Sequence, residues 1–465
     1  MSITKKNAET AEERREKIQR RGTGGIQVFL CYFCVILSDL CGFCIFASDC
    51  NAQPITFESA VQEMLAKNFD IRIVSSNNEA ASQLNNAGNA GFLPTLDASF
   101  GYEKSFNNTD QKYYDGRERS ANNAQSNSLR ASVLLNWVLF DGFRMFAEKD
   151  VLESNETMSE YELRAVSEEG ILMLATLYYQ IVQQKKSLEV SRQSLEVSRE
   201  RYRLAQKRKD IGSASMQEVI QAMLDFNEDS IHVLRQEALI ANLITDVNLM
   251  LARNVMDSID VTGGISADTT LSLDALLDVS AKNNVELLIA RENIRLAQAE
   301  LNKSRSFMYP EAGVYAGFDY SKSTSEVGVL QSNRSYGPNI GVFVNFNLFN
   351  GLKDYKNIKA ERIQQKSSHI SQEKALANNT AAILKSFRNY ESAYRIWKLE
   401  RTSVEKANQN VSIALKKYEL GSISAVEFRD IQLQHTEAQS RLLLAEYDLR
   451  INELELKRLA GLLQF

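Results

Sequence analysis

Chain breakers are scarce. Only 4 prolines and 21 glycines punctuate 465 residues, so long uninterrupted elements are expected. Cysteine is confined to the start: Cys31, Cys34, Cys41, Cys44 and Cys50 are all there are, so nothing beyond them can form a disulfide or a thiolate metal site. No charge of one sign accumulates. Charged residues make up 24% with a net charge of −5, both signs mixed, and no basic stripe offers itself to phosphates, so nucleic acid is not an expected partner. The three histidines, His232, His369 and His435, stand isolated on helical segments and read as surface or packing residues. Glycine-rich phosphate loops, nucleophile elbows and paired catalytic carboxylates are missing too. No catalytic residue, cofactor or metal is expected, and an enzyme is not the expected class.

The first 52 residues differ from the rest. Lys5 to Arg21 mix basic and acidic residues, and Gly25 to Ala47 run apolar except for Ser38, Asp39 and a glycine. This reads as an export signal with a long leading region, and Cys50, Asn51 and Ala52 offer a small-x-small cleavage site before Gln53. Two Cys-x-x-Cys pairs would suggest zinc, but they are embedded in Phe, Val, Ile and Leu rather than in polar turns. Lipid attachment at Cys50 is weakened by Asp49, which sits where such a signal wants a small uncharged residue.

Beyond Gln53 the chain is a duplication. Asn136 begins NWVLFDG, and Asn345, 209 positions on, begins NFNLFNG. At the same offset IGSAS from Ile211 matches LGSIS from Leu420, and at an offset of 216 Asn68, Asp70, Ile71, Ala81 and Pro94 match Asn284, Glu286, Leu287, Ala297 and Pro310. The expected organisation is an export segment (1–52), a first repeat (53–256), a linker at mid-height (257–272) and a second repeat (273–465). Each repeat holds a short helix, a strand hairpin (94–141 and 310–350), a long helix, a tip turn near Gly212 or Gly421, and a return helix.

The hairpins alternate. Leu96, Ala98, Phe100 and Tyr102 oppose Asp97, Ser99 and Gly101, and Ile340, Val342, Val344, Phe346 and Leu348 oppose Asn339, Gly341, Asn345 and Asn347. Four strands of about ten residues, joined by polar loops, suit a bilayer crossing, although alternation alone also describes a soluble antiparallel sheet. The helical segments weigh against the soluble sheet. Gly351 to Gly421 contains neither Gly nor Pro, and Gly142 to Gly212 only Gly170; each would span about 105 Å if wholly helical. The return helices are shorter, so two stacked end to end match one long one.

Each long helix carries two apolar series of seven-residue period. Leu188, Leu195 and Tyr202 stand beside Val190, Val197 and Leu204 in the first, and Trp397, Val404, Val411 and Tyr418 beside Leu399, Ile413 and Leu420 in the second. Residues two apart point to nearly opposite sides, so a neighbour is expected on both, as in a cylinder of helices. Glu189, Arg192, Glu196 and Arg199 take the face that a solid bundle would make apolar. A four-stranded sheet in lipid has two costly open edges, so the chain should close with copies of itself. Two copies would give a cramped eight-strand barrel, whereas three give twelve strands with room for water.

This doubled order of Asn-Phe-Asp-Ile, LP, strand hairpin, LFDG, long helix, Gly-x-x-Ser turn and return helix resembles the TolC-type outer-membrane efflux and secretion channels, over roughly Ile55 to Leu463. The resemblance implies a mixed α and β membrane protein: a trimeric twelve-strand β-barrel in the bacterial outer membrane, continued into the periplasm as an α-helical barrel. It implies the passive exit duct of a tripartite efflux pump or type I secretion system, docked to a periplasmic adaptor and an inner-membrane pump or ABC exporter. A non-channel periplasmic helical scaffold is the alternative, and the four strands speak against it. Trp137, Phe140, Gly142, Phe346, Phe349 and Gly351 would mark where strand passes into tunnel helix, beside the lipid. Gly212, Ser215, Gly421 and Ser424 would form the tips that dock the adaptor. Glu427 and Asp430 would ring the periplasmic gate, and Glu218 would hydrogen-bond Tyr418. Ile423 stands where TolC has an arginine, so one charged latch is missing or replaced.

Overall fold

The computed structural model describes residues 54–420 and 422–463. The expected export segment, with every cysteine, lies outside the described residues, as does Gly421. In chain order the elements are β1 (Pro54–Ile55), α1 (Phe57–Lys67), α2 (Phe69–Leu84), β2 (Thr95–Lys112), β3 (Glu118–Phe140), α3 (Arg144–Asp210), α4 (Met216–Met250), β4 (Asp260–Val261), α5 (Leu273–Asn283), α6 (Val285–Ser306), β5 (Glu311–Ser325), β6 (Ser332–Asn345), α7 (Lys353–Glu419) and α8 (Ala425–Leu459).

Helices α3 and α7 are 67 residues each, about 100 Å long. Two shorter helices do lie along each. On α3, Lys303 and Arg295 of α6 pair with Glu148 and Glu153 near its start, while Glu237 and Gln236 of α4 bond Arg192 and Ser191 farther down. On α7, Gln298 of α6 bonds Gln365 above, and His435 and Arg441 of α8 bond Asn408 and Glu400 below.

The linker sits at mid-height because two tyrosines near the middles of the long helices hold it. The buried Tyr178 hydroxyl lies 2.9 Å from the Ile55 carbonyl and 2.5 Å from that of Thr262, while β1 and β4 pair in parallel beside it. Burial pushes this phenol up to about 12. Tyr390 donates to the Asp268 carbonyl at 2.6 Å. Glu453, fully buried, accepts from Arg450 (2.8 Å), Lys457 (2.6 Å) and the Asp268 amide (3.1 Å), so its charge is compensated from three sides. The main core packs around this level, with Met64, Leu174, Ile181, Val247 and Leu251 at its centre.

The four long strands form one antiparallel sheet in the order β2-β3-β5-β6. Its register sorts the side chains by face. Leu135 stands between Leu96 and Ala316, and Val133 between Ala98 and Phe318, whereas Ser132 stands between Ser99 and Asp319 and Arg130 between Gly101 and Ser321. One face is therefore apolar and open, with Phe100 and Val342 at 76% and 80% exposure; the other is polar, with the Ser99 and Ser132 hydroxyls 2.8 Å apart.

Three expectations need correction. The strands run to 18, 23, 15 and 14 residues rather than about ten; ten describes the apolar rungs, which end where Tyr102 faces Leu129 and Lys104 faces Asn127. The segments expected as polar loops are mostly ladder, since Ser, Asn and Thr side chains pair across strands as Ser105 and Ser126 do at 2.6 Å. They turn only at residues 113–117, where Asp115 accepts from the Arg117 amide, and at 326–331. Finally, β6 stops at Asn345, so Phe346 and Leu348 lie past the strand.

Candidate functional site: helical tips and strand-to-helix joins

The two tips are built alike. At the first, Gly212 turns left-handed (φ +74°) and its N–H donates to Lys209, while Ser213 donates to Arg208, both at 2.8 Å. These bonds satisfy carbonyls left bare at the end of α3. Ser215 then caps α4 by accepting from the Glu218 amide at 3.2 Å. At the second, Ser422 donates to Lys417 at 2.8 Å and Ser424 accepts from the Glu427 amide at 3.1 Å. Glu218 and Glu427 thus occupy the third helical position, where an acid also complements the helix dipole.

The structure brings some of the expected gate residues together. Glu218, Tyr418, Ile423 and Ser424 line one groove of about 720 Å³ at the tips, together with Arg201 and Arg429. No hydrogen bond joins Glu218 to Tyr418 among the described residues; the Tyr418 ring instead stacks on Phe428, centroids 5.1 Å apart at 11°. Glu427 and Asp430 are exposed on α8, and Asp430 accepts from Gln434 at 3.0 Å. Above Tyr418, Val197 and Leu204 on α3 face Val411 and Leu415 on α7 across a second, apolar groove of about 590 Å³.

Sequence reasoning missed the buried charges between these grooves. Arg429 on α8 reaches over α3 to Asp229 on α4, with both guanidinium nitrogens bonded to the carboxylate at 2.9 and 3.1 Å. Ser198 of α3 bonds both partners. Nearby, Arg201 pairs with Asp225 at 3.3 Å. The crossing is close because Ser187, Ser191, Ser194 and Ser198 form a buried stripe along α3. That stripe, between the two apolar series, was the available signal.

The joins differ from one another. After β3, Asp141 is buried and accepts from the Met145 amide at 2.9 Å, Arg144 reaches Asp141 and Glu311 at 3.4 Å, and Trp137 donates to the Phe92 carbonyl at 3.0 Å. Phe140 with Phe143 and Phe92 with Phe146 pack edge to face, and Phe143 and Phe146 are tilted against one another. Gly142 (φ +71°) lies against the backbone of Ser306 and 2.8 Å from Tyr309 Cβ, measured from where its own Cβ would be. After β6, Phe346, Leu348, Phe349 and Leu352 are all exposed, and a Cβ on Gly351 (φ +69°) would meet nothing within 4 Å.

The family described as outer membrane efflux protein matches residues 60–241 and 276–462. The chain belongs to this family. Among its relatives, outer membrane protein TolC of Vibrio cholerae is 22% identical over 410 residues, covering 84% of this chain and 87% of that one. The alkaline protease secretion protein AprF of Pseudomonas aeruginosa is 20% identical over 411 residues, covering 88% and 82%. Among solved structures, the Campylobacter jejuni CmeC outer membrane channel superposes with a TM-score of 0.71 at 14% identity over 90% of this chain and 87% of that one. A CusC structure gives 0.70 at 17% over 88% and 93%. The protein is therefore an outer-membrane efflux or secretion channel of mixed helix and strand, placed in the outer membrane and extending into the periplasm; the family is one of transport, not catalysis.

Proposed function

We propose that three copies close into one duct, a twelve-strand β-barrel continued by a helical barrel, which serves as the exit of a tripartite efflux pump or type I secretion system. The observation that carries this reading is the two-faced sheet with unpaired edges on β2 and β6. An apolar face suits lipid, a face of Ser, Asn, Asp and Arg suits water, and open edges in lipid leave backbone groups that cost several kcal/mol each unless another copy pairs with them. A periplasmic scaffold has no use for such a sheet. The bare Leu399 and Ile413 on α7, with Leu420 just past its end, and the exposed Leu224, Ile231 and Leu234 on α4 supply matching helical edges. At the far end, the tips at Gly212 and Ser215, and at Gly421 and Ser424, meet the helical hairpin of a periplasmic adaptor, through which an inner-membrane pump or ABC exporter delivers cargo.

Glu427 and Asp430 from three copies would place six carboxylates around the mouth, where they attract multivalent cations. Detergent-extracted protein should sediment as a trimer and conduct in planar bilayers, and neutralising both carboxylates should weaken block by divalent cations added from the periplasmic side. A monodisperse monomer without conductance would overturn the reading; conductance with unaltered block in the double variant would remove the carboxylates from the mouth.

A further inference from the structure

The duplication predicts not only that the sheet edges meet but in which register. Resting on the reading that copies close into a barrel, we infer that β6 of one copy pairs with β2 of the next so that Asn345 faces Ser99 and Val344 faces Phe100. Inside one chain, β3 and β5 already form the corresponding seam, with Asn136 opposite Tyr315 and Leu135 opposite Ala316. β6 matches β3 at an offset of 209 from NWVLFDG to NFNLFNG. β2 matches β5 at 216, where Pro94, Gly101, Tyr102 and Glu103 correspond to Pro310, Gly317, Phe318 and Asp319. Carrying the internal seam across by these offsets leaves one pairing.

Two empty positions fit it. Gly317, within the internal seam, is overlain by Leu134, whose Cδ1 would lie 3.2 Å from an added Cβ; its counterpart Gly101 has nothing within 4 Å. In the inferred register Phe343, the counterpart of Leu134, stands opposite Gly101 of the next copy; within one chain its ring lies over Gly313, so the open space at Gly101 is compatible with the pairing but does not fix it. Gly142 is closed in by Ser306 and Tyr309, whereas Gly351 is open; the counterparts of Ser306 and Tyr309 are Ala90, whose side chain is buried within the chain, and Leu93, which is 58% exposed in it. The second join is therefore incomplete until the next copy brings its α2–β2 connection against Gly351. A slip of two residues would keep every side chain on its face, so face patterning alone does not choose among such registers, whereas the offsets of the duplication and the open join at Gly351 do.

The chain has no cysteine after Cys50, so disulfide trapping of the full chain in outer membranes is direct. Two matched pairs should be made, Asn345→Cys with Ser99→Cys and Val344→Cys with Phe100→Cys. Successive antiparallel pairs alternate between Cα separations of about 5.5 and 4.5 Å, both within disulfide reach, so one of the two is the close kind. Two slipped pairs, Asn345→Cys with Asp97→Cys and with Gly101→Cys, serve as comparison, and single-cysteine variants as background. Oxidation should convert a matched pair to covalent dimers and trimers that reductant collapses, with the slipped pairs at background. Bridging by a slipped pair instead, or by none while the extracted protein is still a trimer, overturns the register and leaves the closed assembly standing. No bridging together with a monomeric extracted protein removes both.

Discussion

The two halves of this chain share a sequence plan, yet the first half uses inside the chain what the second leaves open. Gly142 is enclosed and Gly351 bare; Val190 of α3 is half-buried and Leu204 39% exposed, while their counterparts Leu399 and Ile413 of α7 are 69% and 55% exposed. Repetition by itself would predict equal burial. The inequality arises because four elements in a row have two interior partners and two ends, and the ends fall on β2 and α4 on one side and on β6 and α7 on the other. Exposed apolar surface of this kind marks an interface. The halves also differ in charge: Arg429 and Asp229 have Ile220 and Ala438 at the corresponding places, so the buried ion pair ties the second half to the first without a symmetric twin.

The largest effect should come from breaking that tie. Arg429 and Asp229 side chains are only 10% and 14% exposed, and removing one partner of such a pair leaves an uncompensated charge costing about 3–5 kcal/mol. Arg429→Ala should lower the denaturation midpoint of the extracted protein accordingly. Arg429→Met combined with Asp229→Leu should recover most of the loss, because well-packed apolar residues replace a buried pair at little cost. If the double variant is as unstable as the single, the pair is needed for more than neutralising itself.

Next comes the contrast between the glycines. Gly142→Val adds a left-handed penalty and a clash with backbone, together about 3 kcal/mol, and should reduce the folded chain itself. Gly351→Val meets only the penalty within one chain, about 1–2 kcal/mol, and its further effect should fall on assembly. Light scattering of extracted protein would then show Gly351→Val shifting toward monomer with its helical circular dichroism retained. Equal loss of helical signal in the two variants would deny the difference between the joins.

Much of this fold is legible in the sequence. The intervals almost free of glycine and proline marked both 67-residue helices within a few residues, because a helix that long tolerates few breakers, and the Gly-x-x-Ser turns fell where the return helices begin, with Ser215 and Ser424 capping them. Strand length was not legible: polar residues extend a ladder on hydrogen bonds that no hydrophobic pattern reports. Nor was the Arg429–Asp229 pair, whose members lie 200 residues apart. An arginine beside Phe428 reads as solvated until the serine stripe shows how closely α4 and α8 approach across α3. The stacking of the Tyr418 ring on Phe428 was not legible either, since the resemblance pointed only to Glu218 as its partner.

The smallest effect is a matter of pH, and it again separates the halves. Glu63 on α1 bonds Arg253, just past α4, at 3.0 Å, and Lys67 at 2.9 Å. The corresponding places in the second half hold Val279 and Leu462, so no such clamp exists there. The Arg253 hydrogen bonds, against some desolvation, hold the Glu63 carboxyl below its ordinary value of 4.5. A depressed acid contributes stability that is fully present above its unfolded value and is lost as pH falls through the lower, folded one. Glu63→Gln should therefore destabilise the packing of α1 by about 1 kcal/mol at neutral pH, seen as faster amide exchange in α1 than in the wild type. Lowering the pH from 7 through 4.5 and below should narrow that difference, because the wild-type carboxyl loses its charge while the amide has none to lose. α5, which holds the corresponding place in the second half, should exchange alike in both proteins throughout. A difference in α1 that stays constant with pH would mean that the side chain acts there through shape rather than charge.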